Sequence, residues 1–211
     1  MIKDLYPGWQ ALGQRGHWDE ATRKVVLDRV EHVPPYRFFA PQQRRTLEAL
    51  AERVLPQAHR PPERRVPIGP WIDQLCAGRF EHGTRYADMP PQRDAWRLGL
   101  AGLDQTSQAH YGAGFADLDA PRQDAVLRMI ADGNPLGDAW RELPARRWWQ
   151  SLALRQISGV YYAHPYAWDE IGWGGPAYPR GYKNIGLDAR EPWEVRDVRP
   201  GLDPVADSPE R

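Results

Sequence analysis

Apolar residues in the first 160 positions of the chain recur at helical spacing. The stretch bounded by Pro41 and Pro56 is a clear case, with Leu47, Leu50, Ala51, Val54 and Leu55. Residues three and four apart share one face of a helix, so such a stripe predicts an amphipathic helix. Similar stripes predict helices over residues 19–33, 41–55, 68–77, 91–111, 119–131 and 144–160, with a short helical piece over 136–143. No stretch alternates as a strand does, so the pattern predicts an all-α domain of about five to seven helices.

Prolines mark several of the predicted helix starts. Pro41 and Pro121 stand at first helical positions, where the missing N–H is not needed. The residues before them, Ala40 and Ala120, have no side-chain acceptor, so we expect both helix starts to lack a side-chain cap. In the last predicted helix the stripe facing the core is Trp149, Leu152, Ala153, Gln156, Ile157 and Val160.

The helical pattern stops in the segment from Tyr161 to Trp193. Glycine and proline are too frequent there for a continuous helix or strand. The segment is nevertheless rich in Trp and Tyr, which disordered chains lack, so we expect ordered, extended chain that lays rings onto a surface. That surface belongs either to the chain's own helices or to another protein. A single domain of residues 1–211 is therefore expected, with a helical core (19–162), an extended partner-docking segment (163–196) and a flexible tail (197–211).

Composition narrows the possible partners. The chain has 28 Lys plus Arg and 28 Asp plus Glu, and its pI is about 7.0. Without a basic surplus to neutralise phosphates, nucleic-acid binding is disfavoured. The mean hydropathy is −0.71, and no apolar run is long enough for a transmembrane helix.

The candidate metal ligands are few. None of the six histidines pairs with another at helical spacing, and the single cysteine, Cys76, has apolar neighbours typical of a buried thiol. We therefore expect no metal site. His164, which follows the last predicted helix, is expected to cap a helix end, and a catalytic role is the alternative.

Three features near the C-terminus have more than one interpretation. The glycine-rich run Gly172–Gly175 lacks the following Lys-Ser/Thr of a phosphate loop. Asp169 and Glu170 suit acid–base chemistry, but adjacent carboxylates are more often solvated or paired with arginine. Arg180, which lies among tyrosines, either pairs with one of those carboxylates or donates hydrogen bonds at an interface.

The run His164–Tyr182, HPYAWDEIGWGGPAYPRGY, followed by Leu187–Glu194, LDAREPWE, resembles the gluconate 2-dehydrogenase subunit 3 family. Upstream, the stretches Leu47–Pro56, Trp71–Gly78 and Gly112–Leu127 are similar to successive helix starts and core stripes of that family. The resemblance covers roughly residues 36–194.

Members of that family are small, cofactor-free subunits of membrane-associated, FAD-dependent sugar and sugar-acid dehydrogenases. The resemblance implies a non-catalytic accessory subunit that binds and stabilises or matures a large FAD-dependent oxidoreductase of the glucose–methanol–choline (GMC) type. It places FAD in that partner and suggests a c-type cytochrome as a further subunit, with no catalytic, cofactor or metal residues in this chain. The partner-binding residues expected are Tyr162, His164, Trp168, Trp173, Tyr178, Arg180, Tyr182 and Trp193.

Two other functions and the location of the protein stay open at this point. One alternative is a small self-sufficient enzyme with a site around His164, Asp169 and Arg180. The other is a general interaction protein without a dehydrogenase partner. Many family members have a twin-arginine export signal, and the first residues of this sequence do not show one. We therefore expect a cytoplasmic protein, or a periplasmic one if an exported partner carries it.

Overall fold

The computed structural model of the protein describes residue 6, residues 8–78 and 86–184, and residues 186, 191 and 194. Its α-helices are α1 (Glu20–Glu31), α2 (Pro41–Val54), α3 (Ile68–Ala77), α4 (Gln92–Tyr111), α5 (Ala120–Asp132), α6 (Ala145–Arg147), α7 (Leu154–Tyr162) and α8 (Pro165–Ile171). No strand occurs in these residues, which confirms the all-α prediction. A π-helical segment, Trp148–Ala153, joins α6 and α7 into one run, so the described helices number seven, within the range expected.

The described residues form two compact units. We call the first, from Val33 to Tyr161, the helical unit. The second contains the residues up to His32 and those from Tyr162 onward, and we call it the terminal unit. The expected single domain stays a prediction. The flexible tail expected over residues 197–211 lies entirely outside the described residues.

The helical unit is organised around α4, which contacts α2, α3 and α5. Its fully buried side chains include Phe39, Leu47, Leu50, Ile72, Trp96, Leu100, Leu103, Phe115, Ile130 and Trp148. Two glycines on α4 leave room for indole rings. A Cβ at Gly99 would lie 2.1 Å from a Trp148 ring atom, and one at Gly102 would lie 2.3 Å from Trp140. The rings of Trp140 and Trp148 meet edge to face, with centroids 5.5 Å apart.

The last long helix differs from its predicted register. Trp148 is fully buried and Trp149 only partly, the reverse of what the apolar stripe indicates. The π-helical turn explains the difference, because its i→i+5 hydrogen bonds make a turn wider than that of an α-helix. The predicted stripe residues Ala153 and Ile157 are buried as expected.

The helix starts also differ from the expectation. Helix α5 begins at Ala120, so Pro121 is its second residue, and Asp119 is its N-cap, accepting a hydrogen bond from the Arg122 N–H at 3.0 Å. The expectation of an uncapped start is therefore wrong for α5. At α2 it is right for Ala40 itself, but the Gln43 side chain accepts a hydrogen bond from the Ala40 N–H at 3.0 Å. A glutamine at this position thus satisfies a backbone donor that the cap residue leaves exposed.

The terminal unit has its own small core. A 3-10 helix, Ala11–His17, packs with α1 and α8 around Ala11, Trp18, Val26 and Trp168. The expectation of extended chain throughout residues 163–196 is therefore wrong for Pro165–Ile171, which forms α8. Pro165 occupies the first helical position and Gly172 ends the helix with φ 65°, so both residues serve as helix boundaries rather than as breakers. Among the described helices, none is long and apolar enough to cross a membrane.

Candidate partner-binding groove

His164 satisfies backbone groups at the ends of two helices. Its Nδ1 accepts a hydrogen bond from the Tyr166 N–H at 3.2 Å, which makes it the N-cap of α8. Its Nε2 lies 2.9 Å from the carbonyl oxygen of Arg29, in the last turn of α1. Because a carbonyl only accepts and a backbone N–H only donates, the ring is neutral with its hydrogen on Nε2. The side chain is 3% exposed, so the expected cap is present, and it serves α8 and α1 rather than α7.

Two further hydrogen bonds fix the turn between α7 and α8. The Arg29 guanidinium donates to the Ala163 carbonyl at 2.6 Å. The Trp168 indole N–H donates to the Tyr162 carbonyl at 2.7 Å. The last carbonyls of a helix have no partner within that helix, so these donors satisfy groups that would otherwise need water. The turn is therefore held against the C-terminal end of α1.

The glycine-rich run after α8 brings backbone close to tryptophan rings. Gly175 has φ 81°, and a Cβ there would lie 2.6 Å from the Trp18 ring and 3.2 Å from the Trp168 ring. Only glycine combines this left-handed conformation with so close an approach. The run therefore packs its backbone against the Trp18 and Trp168 rings.

These contacts leave an open apolar groove of about 510 Å³, which we call the Trp173 groove. It is lined by Ala21, Thr22, Val25, Val26, Arg29, Tyr162, Ala163, Trp168, Trp173 and Pro176. Trp168 is 2% exposed, whereas Trp173 is 38%, Tyr162 is 42% and Val25 is 57% exposed. The Trp173 and Trp168 rings meet edge to face, with their centroids 4.6 Å apart. A buried tryptophan is therefore flanked by three large apolar side chains that are partly open to solvent.

The described lining of this groove carries little charge, and neither Asp19 nor Arg180 belongs to it. Among the described residues, Arg29 is the one charged residue that lines it, and its guanidinium donates to the Ala163 carbonyl. At the start of α1, hydrogen bonds from Thr22 lower the pKa of Asp19, which is the N-cap of that helix. Burial lowers the pKa of Arg180, while Tyr182 and Glu191 act in the opposite direction. The surface is thus suited to apolar contact more than to ion pairing.

Comparison with known protein families identifies a family to which the chain is similar. The family model for gluconate 2-dehydrogenase subunit 3 matches residues 41–175, which is more than half of the chain. The chain belongs to the gluconate 2-dehydrogenase subunit 3 family. The family name describes a subunit of a dehydrogenase. No curated protein and no solved structure matches the chain in the same comparisons.

The region matched to gluconate 2-dehydrogenase subunit 3 includes one wall of the Trp173 groove. That wall consists of Tyr162, Ala163, Trp168 and Trp173. The opposite wall, from α1, precedes the matched range. The prediction from sequence missed this wall. Ala21, Val25 and Arg29 recur at intervals of four, which puts them on one helix face and was the available signal.

The other predicted partner-binding residues fall in different places. Tyr178 is 65% and Tyr182 is 51% exposed, and neither lines the groove. Arg180 is half-buried beside them, and Trp193 lies outside the described residues. The structure thus brings Tyr162, Trp168 and Trp173 together, with His164 buried behind them as a cap.

The candidate catalytic side chains have structural hydrogen-bond partners. Asp169, one of the three candidates for a self-sufficient enzyme, accepts a hydrogen bond from the Ala11 N–H at 2.7 Å, at the start of the 3-10 helix. Both ring nitrogens of His164 have backbone partners. No group of three His, Cys, Asp or Glu that could hold a metal occurs in the part of the chain that the structure describes.

Proposed function

We propose that the chain is a non-catalytic accessory subunit that binds and stabilises or matures a large FAD-dependent oxidoreductase of the GMC type. Membership of the gluconate 2-dehydrogenase subunit 3 family supports a place in a dehydrogenase complex. In this proposal FAD and the sugar-binding pocket belong to the large subunit, and a c-type cytochrome subunit accepts the electrons. The complex is cytoplasmic, or periplasmic if the large subunit is exported and carries this chain with it.

The main structural support for the proposal is the Trp173 groove. Trp and Tyr are enriched among the residues that dominate binding energy at protein interfaces, and such residues cluster in pockets that exclude water on binding. Trp173, Tyr162 and Val25 offer partly exposed apolar area around one opening. The rings lose little conformational freedom on binding, and hydrogen bonds already hold the chain behind them. We propose that an apolar side chain or helix face of the large subunit fills this groove.

The contacts of the candidate catalytic residues favour this function over a self-sufficient enzyme. A general base needs a ring nitrogen or carboxylate oxygen within reach of substrate. His164 is buried, and both its nitrogens bond to backbone groups. The Asp169 carboxylate accepts from a backbone N–H in the core of the terminal unit. These side chains support the walls of the groove, and that role accounts for their positions.

The proposal is tested by expressing a GMC-type flavoprotein from the same genome with and without this chain. Size-exclusion chromatography follows complex formation, flavin absorbance reports FAD loading, and a dye-linked assay measures sugar oxidation. We expect the two proteins to co-elute, and the flavoprotein to be soluble and loaded only when the chain is present. The purified chain alone should be colourless and inactive.

Two outcomes would contradict the proposal. A flavoprotein that is soluble, loaded and active alone, with no complex formed, would leave the chain without this role. Turnover by the purified chain that is lost on replacing His164 or Asp169 would favour the enzyme alternative. A stable complex with no change in solubility or FAD loading would keep the partner but rule out the maturation role.

A further inference from the structure

We infer that Arg93 and Arg97, together with the Phe38 ring that both contact, form a binding surface for the carboxylates of an acidic protein segment. This surface belongs to the helical unit and goes beyond the proposed function, which concerns the Trp173 groove. Phe38 is fixed in place, two guanidinium groups meet at its ring, and no described carboxylate forms an ion pair with either of them.

Phe38 lies in a short segment that a buried carboxylate holds in place. Asp73, which is fully buried, accepts hydrogen bonds from the backbone N–H groups of Arg37, Phe38 and Phe39. The Phe39 ring is buried, and it contacts Phe38 with centroids 4.8 Å apart. Phe38 itself is half-buried. The segment thus presents one ring at the surface in a fixed position.

Two guanidinium groups meet at this ring. The guanidinium carbon of Arg93 lies 5.0 Å, and that of Arg97 lies 4.0 Å, from the centroid of Phe38. Both side chains come from the first two turns of α4, four residues apart on one face, and both are exposed. Arg44 lies 5.0 Å from the ring of Tyr36, but the Tyr36 hydroxyl donates to the Glu48 carboxylate, so Arg44 has a carboxylate nearby and is not part of the proposed surface.

This arrangement opposes the stability of α4. Like charges four residues apart on a helix repel each other, and a cation in the first turn is disfavoured by the helix dipole. Asp94 offsets the dipole in the first turn. Among the described residues, however, no carboxylate forms an ion pair with Arg93 or Arg97. Two exposed arginines without a described ion pair, both against one ring, point to an anionic partner.

The combination of guanidinium donors and an apolar ring fits the carboxylates of a protein segment. A guanidinium over an aromatic ring keeps the N–H donors at its edge for a planar acceptor, and a carboxylate takes two of them at once. Two such groups beside one partly exposed ring fit a segment with successive acidic residues and an apolar contact between them. A free phosphate would use the cations but not the ring.

The test uses the full-length protein and a fluorescein-labelled octaglutamate peptide, with binding followed by fluorescence anisotropy at low and at physiological ionic strength. Octaglutamine serves as the uncharged control peptide. The variant R93Q/R97Q should lower the affinity for octaglutamate about fivefold and weaken its salt dependence. R93K/R97K, which keeps the charge but not the planar donors, should give an intermediate affinity.

The matched control is R128Q/R155Q, which removes the same charge from two exposed arginines elsewhere in the helical unit. It should leave the affinity for octaglutamate unchanged. Equal losses in the two double variants, or no binding of the peptide, would overturn the inference. So would competition by inorganic phosphate or by phosphatidylglycerol vesicles that depends equally on Arg93 and Arg97. The variant W173A should bind octaglutamate normally, which separates this surface from the proposed groove.

Discussion

At the scale of single residues, His164 is the clearest example of a side chain with two structural partners. It caps the start of α8 through Nδ1 and the end of α1 through Nε2. We predict that H164A lowers the free energy of unfolding by about 2 kcal/mol, since the loss of a cap costs about 1 kcal/mol and an unpaired buried carbonyl costs at least as much. Urea denaturation of the full-length protein measures this change.

H164N is the matched variant, because asparagine keeps an acceptor for the Tyr166 N–H but does not reproduce the reach of the histidine ring to Arg29. About half of the loss should be recovered, because asparagine is among the best N-cap residues. If H164N is as unstable as H164A, the N-cap bond contributes nothing and the bond to α1 accounts for the whole effect.

Gly175 gives a second prediction at this scale. Alanine at Gly175 must adopt φ 81° and also meets the Trp18 ring at 2.6 Å, whereas at Gly181, with φ 68°, nothing lies within 4 Å of the new Cβ. Both changes carry the backbone cost of about 1 kcal/mol, and G175A adds the displacement of a buried ring, at about 2 kcal/mol. Thermal melts should therefore rank G175A well below G181A, and equal melting temperatures would contradict the proposed packing on Trp18.

These residues also show what sequence does and does not predict. The residue types in the aromatic segment predicted ordered chain, and within the described residues Pro165–Ile171 forms a helix, while the position of His164 after a long helix indicated a cap. Neither its partner at Arg29 nor the close approach of Gly175 to Trp18 was predictable, because both join positions more than a hundred residues apart. Contacts at that separation leave no periodic trace in a single sequence.

At the scale of elements, the helices followed from apolar spacing and from prolines, but the π-helical turn did not. The packing of Trp148 explains the position of this turn. The Trp148 ring lies on Gly99 of α4 and contacts the rings of Trp96 and Trp140. The sequence records a tryptophan pair at 148–149 and does not say which ring is buried. Side-chain packing decides between them, and the wider turn then adjusts the register.

The packing of Trp148 on Gly99 of α4 leads to a prediction at the element scale. Replacing a helical glycine by alanine usually stabilises a helix by about 1 kcal/mol. G159A in α7 should do so, since nothing lies within 4 Å of the added Cβ. G99A should instead destabilise the protein by about 2 kcal/mol, because its Cβ meets the buried Trp148 ring at 2.1 Å. Chemical denaturation should show a higher free energy of unfolding for G159A and a lower one for G99A. A stabilising G99A would mean that Trp148 can move away at no cost.

At the scale of the whole molecule, the question is which exposed rings serve the fold and which serve a partner. Trp173 is tied to the fold by its edge contact with Trp168, whereas Tyr178 is 65% exposed and lies outside the groove. Burial of a ring at an interface excludes water and adds contact area, so its loss lowers affinity more than it lowers the stability of the free chain. The double variant W173A/Y178A therefore distinguishes docking from self-packing.

We predict that W173A/Y178A weakens binding to the large flavoprotein at least about tenfold. The free energy of unfolding of the isolated chain should change by about 1 kcal/mol or less. Pull-down titrations and thermal melts on the same preparations measure both quantities. The control is V33A/L136A, which removes two exposed apolar side chains of the helical unit, and it should leave the affinity unchanged. If W173A/Y178A loses stability and binding in the same proportion, the rings belong to the chain's own core. If instead the control weakens binding as much, apolar contact with the partner is spread over the surface and the Trp173 groove has no special part in it.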